Sequence, residues 1–209
     1  MRLRLLLASF AAVAMCAGIA VQPQAAEAQQ RDWTKTIVQT LEGGYRMGNP
    51  AAPVTLIEYG SLTCSHCAHF AEEGMPAILA QVRSGRINFE FRNFVLNPVD
   101  VAATLLSRCV SPANYFRATD RIYGAQTQWL TQVTSLTPEQ QKAVATLPPL
   151  ERPVRLAQLS GLTALAQQDG LTPAKAAACL KDEAAVHRLV QIREAGTKNH
   201  QVEGTPSSS

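Results

Sequence analysis

The amino-acid sequence predicts an α/β protein in which one strand–helix–strand unit precedes a long helical segment. Residues 54–59 form a short β-branched run between a proline and a glycine, which is typical of a buried strand. Residues 87–95 alternate apolar and polar side chains, which indicates a second strand. From residue 99 to residue 198 only helix signals recur. These three observations define the predicted fold class.

The N-terminus has the pattern of a secretory signal peptide covering residues 1–28. A short basic start leads into an uncharged apolar run, residues 5–21, and Ala26-Glu27-Ala28 fits a small-x-small cleavage site. The alternative is a membrane anchor. The apolar run of about 17 residues is marginal for a span, and a polar segment with a proline follows it. We therefore predict cleavage after Ala28 and export to the periplasm.

Composition fits one globular domain that does not bind nucleic acid. The 209-residue chain carries a net charge of +3 and contains no run of lysine and arginine. After the predicted cleavage about 180 residues remain, which is enough for a sizeable core. Of the five cysteines, all but Cys16 follow the cleavage site. In an exported protein these four would meet an oxidising compartment.

The first half of the chain can be assigned element by element. Residues 29–48 form a polar lead-in with a short apolar patch and a Gly-Gly break. After the first strand, a helix is predicted from Cys64 to the Ser-Gly pair at residues 84–85, with a kink at Pro76, which lacks an amide hydrogen. The second strand then returns. A strand–helix–strand unit of this length implies a right-handed parallel crossover.

The second half is predicted to be helical throughout. Helices are expected at residues 101–106, 114–133 and 182–195. Thr137-Pro138-Glu139-Gln140 has the residues of a capping box, and Thr172-Pro173 opens a further helix. The aromatic residues of this segment could line a peptide groove, but helix packing in the core is the favoured interpretation of Tyr115, Phe116, Tyr123 and Trp129.

The motif Cys64-Ser65-His66-Cys67 determines the predicted chemistry. A zinc site needs about four ligands, and apart from nearby His66 and His69 the sequence offers no second Cys/His cluster. A c-type haem needs a histidine directly after the second cysteine, where this chain has Ala68. A purely structural disulfide remains an alternative, although so short a loop constrains the unfolded chain little. No metal or organic cofactor is therefore predicted.

Redox chemistry fits the position of the two thiols. Cys64 follows a strand and would lie in the first turn of a helix, where unpaired amide hydrogens and the helix dipole favour a negative charge. Such a site lowers the pKa of the thiol, and His66 in the same turn can add positive charge or a hydrogen bond. A stabilised thiolate makes the disulfide form a strong oxidant. Cys67, one turn on, would be more buried and would act as the resolving thiol.

Glu58 lies six residues before Cys64 in the first strand and has two interpretations. It could be a carboxylate at the edge of the strand that faces water. It could also be a partly buried acid beside Cys67, with a pKa raised by desolvation, that relays protons during exchange. The sequence leaves both open.

The residues quoted so far resemble those of the DsbA-type thiol:disulfide oxidoreductase family. The resemblance rests on residues 56–61, the Cys64–Cys67 motif, the helical segment and the late Val202-Glu203-Gly204-Thr205-Pro206. It implies a thioredoxin-like fold, residues 29–98 and 184–209, with an inserted helical domain, residues 99–183. Ser65 stands where this family often has proline.

The resemblance implies a role for Thr205 and Pro206. In the family the peptide bond before the matching proline is cis and faces the disulfide. The backbone there receives the substrate peptide, and Ser65 is expected to contact the substrate as well. The sequence alone would favour an ordinary trans turn. Family members continue past this proline with a β-hairpin and a last helix, so these elements are expected to be missing here. The first strand should then expose an apolar edge near Glu58.

Cys109 and Cys179 lie in the helical segment and are either free buried thiols or a second, structural disulfide. An oxidising compartment and an even number of cysteines favour the bridge. Some relatives that resemble this group carry such a second, non-catalytic bridge. Pairing with Cys64 or Cys67 is rejected, because it would abolish the predicted function.

The predicted function is an exported, monomeric enzyme that introduces disulfides into secreted or periplasmic proteins through Cys64 and Cys67. By the family resemblance, a DsbB-like membrane quinone reductase would reoxidise it. One alternative is a periplasmic disulfide isomerase or reductase, although such enzymes are often dimeric and residues 29–48 are too short for a dimerisation domain. Another is a redox-silent thioredoxin-like module that binds peptides or acts as a chaperone.

Overall fold

The computed structural model describes residues 31–209, so the predicted signal peptide lies outside the described residues. Within them the chain forms a five-stranded mixed sheet in the order β1-β2-β4-β3-β5. The strands β3 and β4 pair in parallel along seven residues each, which confirms the parallel pairing predicted for the strand–helix–strand unit. The strand bounds are β1, Ile37–Gln39; β2, Tyr45–Gly48; β3, Val54–Gly60; β4, Ile87–Asn93; and β5, Ser207–Ser208.

Residues 29–48, predicted only as a polar lead-in, contain the antiparallel hairpin β1–β2. The Thr40 amide donates to the Gly44 carbonyl at 2.9 Å, and Gly43 has a φ of +88°, which glycine adopts without strain. β1 is short and mostly exposed, so it lacks an apolar pattern. β2 buries Tyr45 and Met47 and pairs with β4. The hairpin was missed because only these two side chains carry its signal.

The far edge of β3 is partly covered, contrary to expectation. The serines at the end of the described chain form β5, in which Ser207 lies opposite Tyr59 and Ser208 opposite Glu58. Beyond them Ile57 and Ser209 exchange two backbone hydrogen bonds of 2.9 and 3.0 Å. The prediction of an unpaired edge near Glu58 was therefore wrong. Serines carry no apolar signal, but their backbone groups complete a ladder as well as those of any residue.

The helix after β3 is interrupted, as Pro76 predicted. It consists of α1, Ser65–His69, a π-helical turn, Phe70–Gly74, and α2, Met75–Arg83. Pro76 stands in the first turn of α2, where its missing amide hydrogen costs no intrahelical bond. The π-helical turn lies just before Pro76, and its wider hydrogen-bond pattern interrupts the regular α-helical pattern there. This interruption separates the short active helix α1 from the longer helix behind it.

In the described part of the chain eight helices follow β4. Two of them, α7 and α8, were not predicted; a proline lies inside the first turns of α7, and Gly161, with a φ of +77°, separates the two helices. The predicted helix 114–133 is divided at Ala125. The bounds are α3, Pro98–Arg108; α4, Tyr115–Gly124; α5, Gln126–Thr134; α6, Pro138–Ala145; α7, Glu151–Leu159; α8, Leu162–Gln168; α9, Pro173–Leu180; and α10, Glu183–His200.

The predicted helix starts are present. Thr137 and Gln140 form a reciprocal capping box. The Gln140 amide donates to the Thr137 hydroxyl at 3.3 Å, and the Thr137 amide donates to the Gln140 side-chain oxygen at 2.9 Å. The hydroxyl of Thr172 caps α9, and the carboxylate of Asp182 caps α10. Each cap satisfies a backbone donor that the first turn leaves unpaired.

The helices pack on the sheet and share one core with it. The four aromatic residues considered for a peptide groove, Tyr115, Phe116, Tyr123 and Trp129, are all buried, which confirms that they are core residues. Tyr115 stacks on the ring of Tyr45 with ring centroids 3.7 Å apart. The helical segment is thus joined to the sheet by a continuous apolar interface, although its division from the flanking segments at residues 98 and 183 stays a prediction.

A disulfide joins Cys109, which directly follows α3, to Cys179 in α9. The two Cα atoms are 6.0 Å apart, although 70 residues separate them in the chain. In the described residues no helix is both long and apolar enough to span a membrane. Residues 31–209 also contain no group of three or more metal-ligating side chains placed to hold an ion.

Removing the Cys109–Cys179 bridge should destabilise the protein strongly. Closing a loop of 70 residues restricts the unfolded chain, so we expect the Cys109→Ala/Cys179→Ala variant to lose about 4 kcal/mol of unfolding free energy. Urea denaturation followed by circular dichroism measures the loss. As the control, the unmutated protein and the variant should unfold alike when both are fully reduced, because neither then contains a disulfide. An unchanged urea midpoint in the variant would contradict the prediction.

Candidate active site

Cys64 is the N-cap residue of α1. Its backbone is extended (φ −84°, ψ 120°), and its sulfur accepts a hydrogen bond from the amide of Cys67 at 3.4 Å. This is the place that a serine or aspartate oxygen usually takes at a helix start. The first-turn amides have no intrahelical partner and the helix dipole is positive there. The sulfur therefore lies where a negative charge is stabilised.

Thr205 and Pro206 approach the same sulfur from the other end of the chain. The thiol of Cys64 donates to the Thr205 carbonyl at 3.3 Å, across 141 residues of sequence. The Thr205–Pro206 peptide bond is cis. Thr205 is half-buried and Pro206 is exposed. The structure thus brings together the motif and the late Gly-Thr-Pro that the sequence singled out.

The two thiols have opposite pKa shifts. Partial burial alone would raise the pKa of Cys64, but hydrogen bonds from the side chains of Thr205 and Cys67 and from the backbone amides of Cys67 and His66 outweigh it, so the pKa lies below its ordinary value. Burial raises the pKa of Cys67 to about 12, and its side chain is fully buried. Cys64 is therefore the accessible, thiolate-forming partner, and Cys67 is the protonated inner one.

Ser65 and His66 are the two exposed residues between the cysteines. The backbone amide of His66 helps to lower the pKa of Cys64. Within residues 31–209 no hydrogen bond or ion pair of the His66 imidazole is present. His69, the other histidine near the motif, faces Glu73 at 3.5 Å on the exposed side of the helix.

Glu58 is buried in β3, with 5% of its surface exposed, which excludes the water-facing interpretation. Burial raises the pKa of its carboxyl to about 8. In the described part of the chain no hydrogen bond or ion pair reaches this carboxyl. Burial, and after it the negative charges of Cys67 and Glu58, raise the pKa of the Tyr123 hydroxyl.

Glu58 lines a small cavity of about 220 Å³. Its walls include Phe70 and Ile78 from the interrupted helix and Pro206 and Ser207 from the returning chain. The cavity gives the buried carboxyl a route toward solvent beside the cis peptide bond.

Asp100 is a buried acid near the active loop that was not singled out from the sequence. Its carboxylate accepts from the Ser61 hydroxyl at 2.6 Å, the Leu62 amide at 3.0 Å and the Leu96 amide at 2.9 Å. Burial raises its pKa to about 6, against the lowering effect of these hydrogen bonds. An asparagine, a proline and an acidic residue at residues 97–100 form a helix-start signal, but this signal does not indicate the contact with the loop.

Comparison with known proteins places this site in a family. A family model described as thioredoxin matches residues 40–208. The chain belongs to this family. The match includes both cysteines of the motif and the late Thr-Pro pair, so the residues brought together around Cys64 all lie within the thioredoxin homology.

Two solved structures resemble this chain over about four fifths of its length. A protein-disulfide isomerase from Novosphingobium aromaticivorans is 28% identical, with 78% of this chain and 84% of that chain aligned and a TM-score of 0.73. The α-DsbA1 of Wolbachia pipientis, 23% identical with a TM-score of 0.64 over 81% of this chain and 75% of that one, shares the fold. These likenesses confirm the predicted DsbA-type resemblance and the thioredoxin-like fold with its helical insertion.

A curated relative from Rickettsia bellii extends the comparison. It is provisionally named a protein-disulfide oxidoreductase and is 25% identical over 190 residues. The alignment covers 90% of this chain but 64% of the relative, so the chain spans less than two thirds of that protein's length.

The buried Glu58 should make the protein less stable as the pH rises. The folded carboxyl, with a pKa of about 8, keeps its proton in a range where the unfolded carboxyl, with an ordinary pKa near 4.5, has lost it. Because the folded state binds more protons, the unfolding free energy falls between these two pKa values. Between pH 5 and pH 8 the loss due to Glu58 should be about 3 kcal/mol.

The Glu58→Gln variant isolates this contribution. It should be more stable than the unmutated protein at pH 8, and the difference between the two should shrink toward pH 5. Urea denaturation at a series of pH values measures it, and other titrating groups such as Asp100 cancel in the comparison. A difference that stays constant with pH would show that Glu58 has an ordinary pKa.

Proposed function

We propose that this chain is an exported thiol:disulfide oxidoreductase that passes the disulfide of Cys64 and Cys67 to secreted proteins. The proposal combines the signal-peptide pattern of residues 1–28, the membership of the thioredoxin family and the geometry around Cys64. The single observation that carries it is the Cys64 sulfur at the N-cap of α1, with an amide at 3.4 Å. A sulfur held in this way is a good leaving group and a poor partner in a stable disulfide.

The first step forms a mixed disulfide. The thiolate of a client cysteine attacks the half-buried Cys64 sulfur of the oxidised pair, the Cys64–Cys67 bond breaks, and Cys67 leaves with the electron pair. Cys67 is buried and its thiol has a pKa of about 12, so it must be protonated as it leaves. Glu58, with a pKa of about 8 and a nearby cavity, is the proposed proton donor.

The second step releases the oxidised client. A second client thiolate attacks the client sulfur of the mixed disulfide, and Cys64 leaves as a thiolate that the first turn of α1 stabilises. The client has then lost two electrons and gained a disulfide, and the enzyme holds them as the Cys64/Cys67 dithiol. The lowered pKa of Cys64 favours this direction, because the better leaving thiolate departs.

Client binding is proposed beside the cis peptide bond. The Thr205 carbonyl faces the reactive sulfur, and the exposed Ser65 and Pro206 flank it. An extended client segment could therefore use backbone hydrogen bonds near Thr205 while its cysteine reaches Cys64. Recognition through the backbone would suit unfolded clients of varied sequence.

Continued turnover needs an acceptor for the two electrons. The family resemblance suggests a DsbB-like membrane quinone reductase in the same compartment, the periplasm. We propose that the enzyme acts there as a monomer, and that the folding proteins it oxidises carry free cysteines.

An isomerase function is the second candidate, and one observation favours it. The 28% identical structure from Novosphingobium aromaticivorans is named a protein-disulfide isomerase. An isomerase starts from the reduced dithiol and rearranges wrong disulfides, whereas an oxidase starts from the disulfide. Refolding of a client from its reduced state and from its scrambled state separates the two activities.

The Cys64→Ser variant should lose all transfer to client cysteines. The oxidised protein is mixed with a reduced peptide that contains two cysteines, and disulfide formation is followed by mass spectrometry. The unmutated protein should accelerate the reaction, and Cys64→Ser should match the uncatalysed rate. Equal rates for both proteins would reject the enzyme and leave the peptide-binding module as the alternative.

The Cys67→Ser variant is the matched comparison, because it removes the other thiol of the pair. Its Cys64 can still form a mixed disulfide with an activated client but has no partner to reverse the reaction. We therefore expect a covalent client complex with Cys67→Ser and none with Cys64→Ser. A complex through Cys67 would contradict the assigned roles of the two thiols.

A further inference from the structure

The loop before the active helix, residues 61–64, is held by the helical insertion. The hydroxyl of Tyr123 in α4 donates to the Ser61 carbonyl at 3.1 Å. Asp100 in α3 accepts from the amide of Leu62 and the hydroxyl of Ser61. These contacts fix the first half of the loop, and neither Tyr123 nor Asp100 hydrogen-bonds to Cys64 itself.

Gln126 reaches the reactive residue directly. It is the first residue of α5 and is buried. Its side-chain nitrogen donates to the Leu62 carbonyl at 2.8 Å and to the Cys64 carbonyl at 3.0 Å. The primary amide has two N–H groups, so one side chain satisfies two carbonyls of the loop.

The Cys64 carbonyl is the point where the loop becomes the helix. It accepts the first helical bond, from Ala68 at 3.1 Å, as well as the bond from Gln126. Fixing this carbonyl fixes the peptide plane that follows Cys64. That plane carries the Ser65 amide and begins α1, so its orientation sets the start of the helix and, through the helix, where the amides of His66 and Cys67 lie relative to the Cys64 sulfur.

We infer that Gln126 is a positioning residue that keeps the first-turn amides of α1 aimed at the Cys64 sulfur. It acts through the backbone of Cys64 and touches neither thiol in the described contacts. Without its two donors the Leu62 carbonyl loses its partner in a buried setting, which is unfavourable, and the loop shifts to find another. The hydrogen bonds to the sulfur then weaken, and the Cys64 thiolate is less stable.

This inference rests on the proposed function only for its biological meaning, since the effect on the thiol can be measured without a client. The test variant is Gln126→Met, which keeps an unbranched side chain of similar length and removes both donors. The rate of alkylation of Cys64 as a function of pH gives its pKa. We expect the pKa to rise by about one pH unit, which slows alkylation about tenfold at a pH below it.

Gln126→Glu is the second variant and keeps the test open if the methionine is poorly tolerated. It preserves length and polarity but cannot offer two donors in either protonation state. When ionised it also places a negative charge near the thiolate. The pKa of Cys64 should rise here too, and equilibration with glutathione should show a less oxidising disulfide in both variants.

Gln132→Met is the matched control on the same helix. With its amide nitrogen turned toward them, Gln132 donates to the Leu159 and Ser160 carbonyls at 3.2 Å each, away from the active loop. It should lower the unfolding temperature without changing the Cys64 pKa. An unchanged pKa in both Gln126 variants, or an equal rise in Gln132→Met, would overturn the positioning role.

The outcomes separate this inference from the proposed function. A raised pKa in the Gln126 variants of a protein that fails to oxidise clients would uphold the positioning role and reject the oxidoreductase. An unchanged pKa in variants of an active enzyme would reject the positioning role and leave the function in place.

Discussion

The hydrogen bond between the Cys64 sulfur and the first turn of α1 is the interaction on which the account of this site depends. A helix start leaves amide hydrogens without partners, and here a sulfur takes the place of the usual capping oxygen. The same turn buries Cys67 completely. One short helix therefore gives two neighbouring thiols opposite pKa shifts, with Cys64 the accessible sulfur and Cys67 the buried one.

The rest of the fold serves to hold that helix start in place. The parallel pair β3–β4 delivers the chain to residue 61, and the helical insertion anchors the loop through Asp100 and Gln126. The returning chain brings Thr205 to the sulfur and then pairs with β3. The sheet, the helical insertion and the return segment thus all meet at the loop of residues 61–64. This explains why a site built from a two-cysteine motif needs most of the domain.

The sequence predicted those elements that have a strong local signal. The β-branched run of β3, the alternation of β4 and the capping box at Thr137 depend on neighbouring residues and are present, and the helix expected to kink at Pro76 is interrupted just before that residue. The strand at Ser207 depends on a partner far away in the chain, and the short hairpin β1–β2 buries only Tyr45 and Met47 as apolar side chains, so no strong local pattern marks either. The active-site cysteines could be recognised because they form a local motif. The contacts of Asp100 and Gln126 with the loop join residues far apart in the chain, so only the structure reveals them.

The most direct test of the central claim is the ionisation of Cys64 in the reduced protein, followed as the ultraviolet absorbance of the thiolate during a pH titration. Cys67, with a pKa of about 12, does not contribute in the neutral range. The account predicts an inflection below the ordinary cysteine value of about 8.5. An inflection at or above that value would show that the helix start does not stabilise the sulfur, and the redox mechanism built on it would fail.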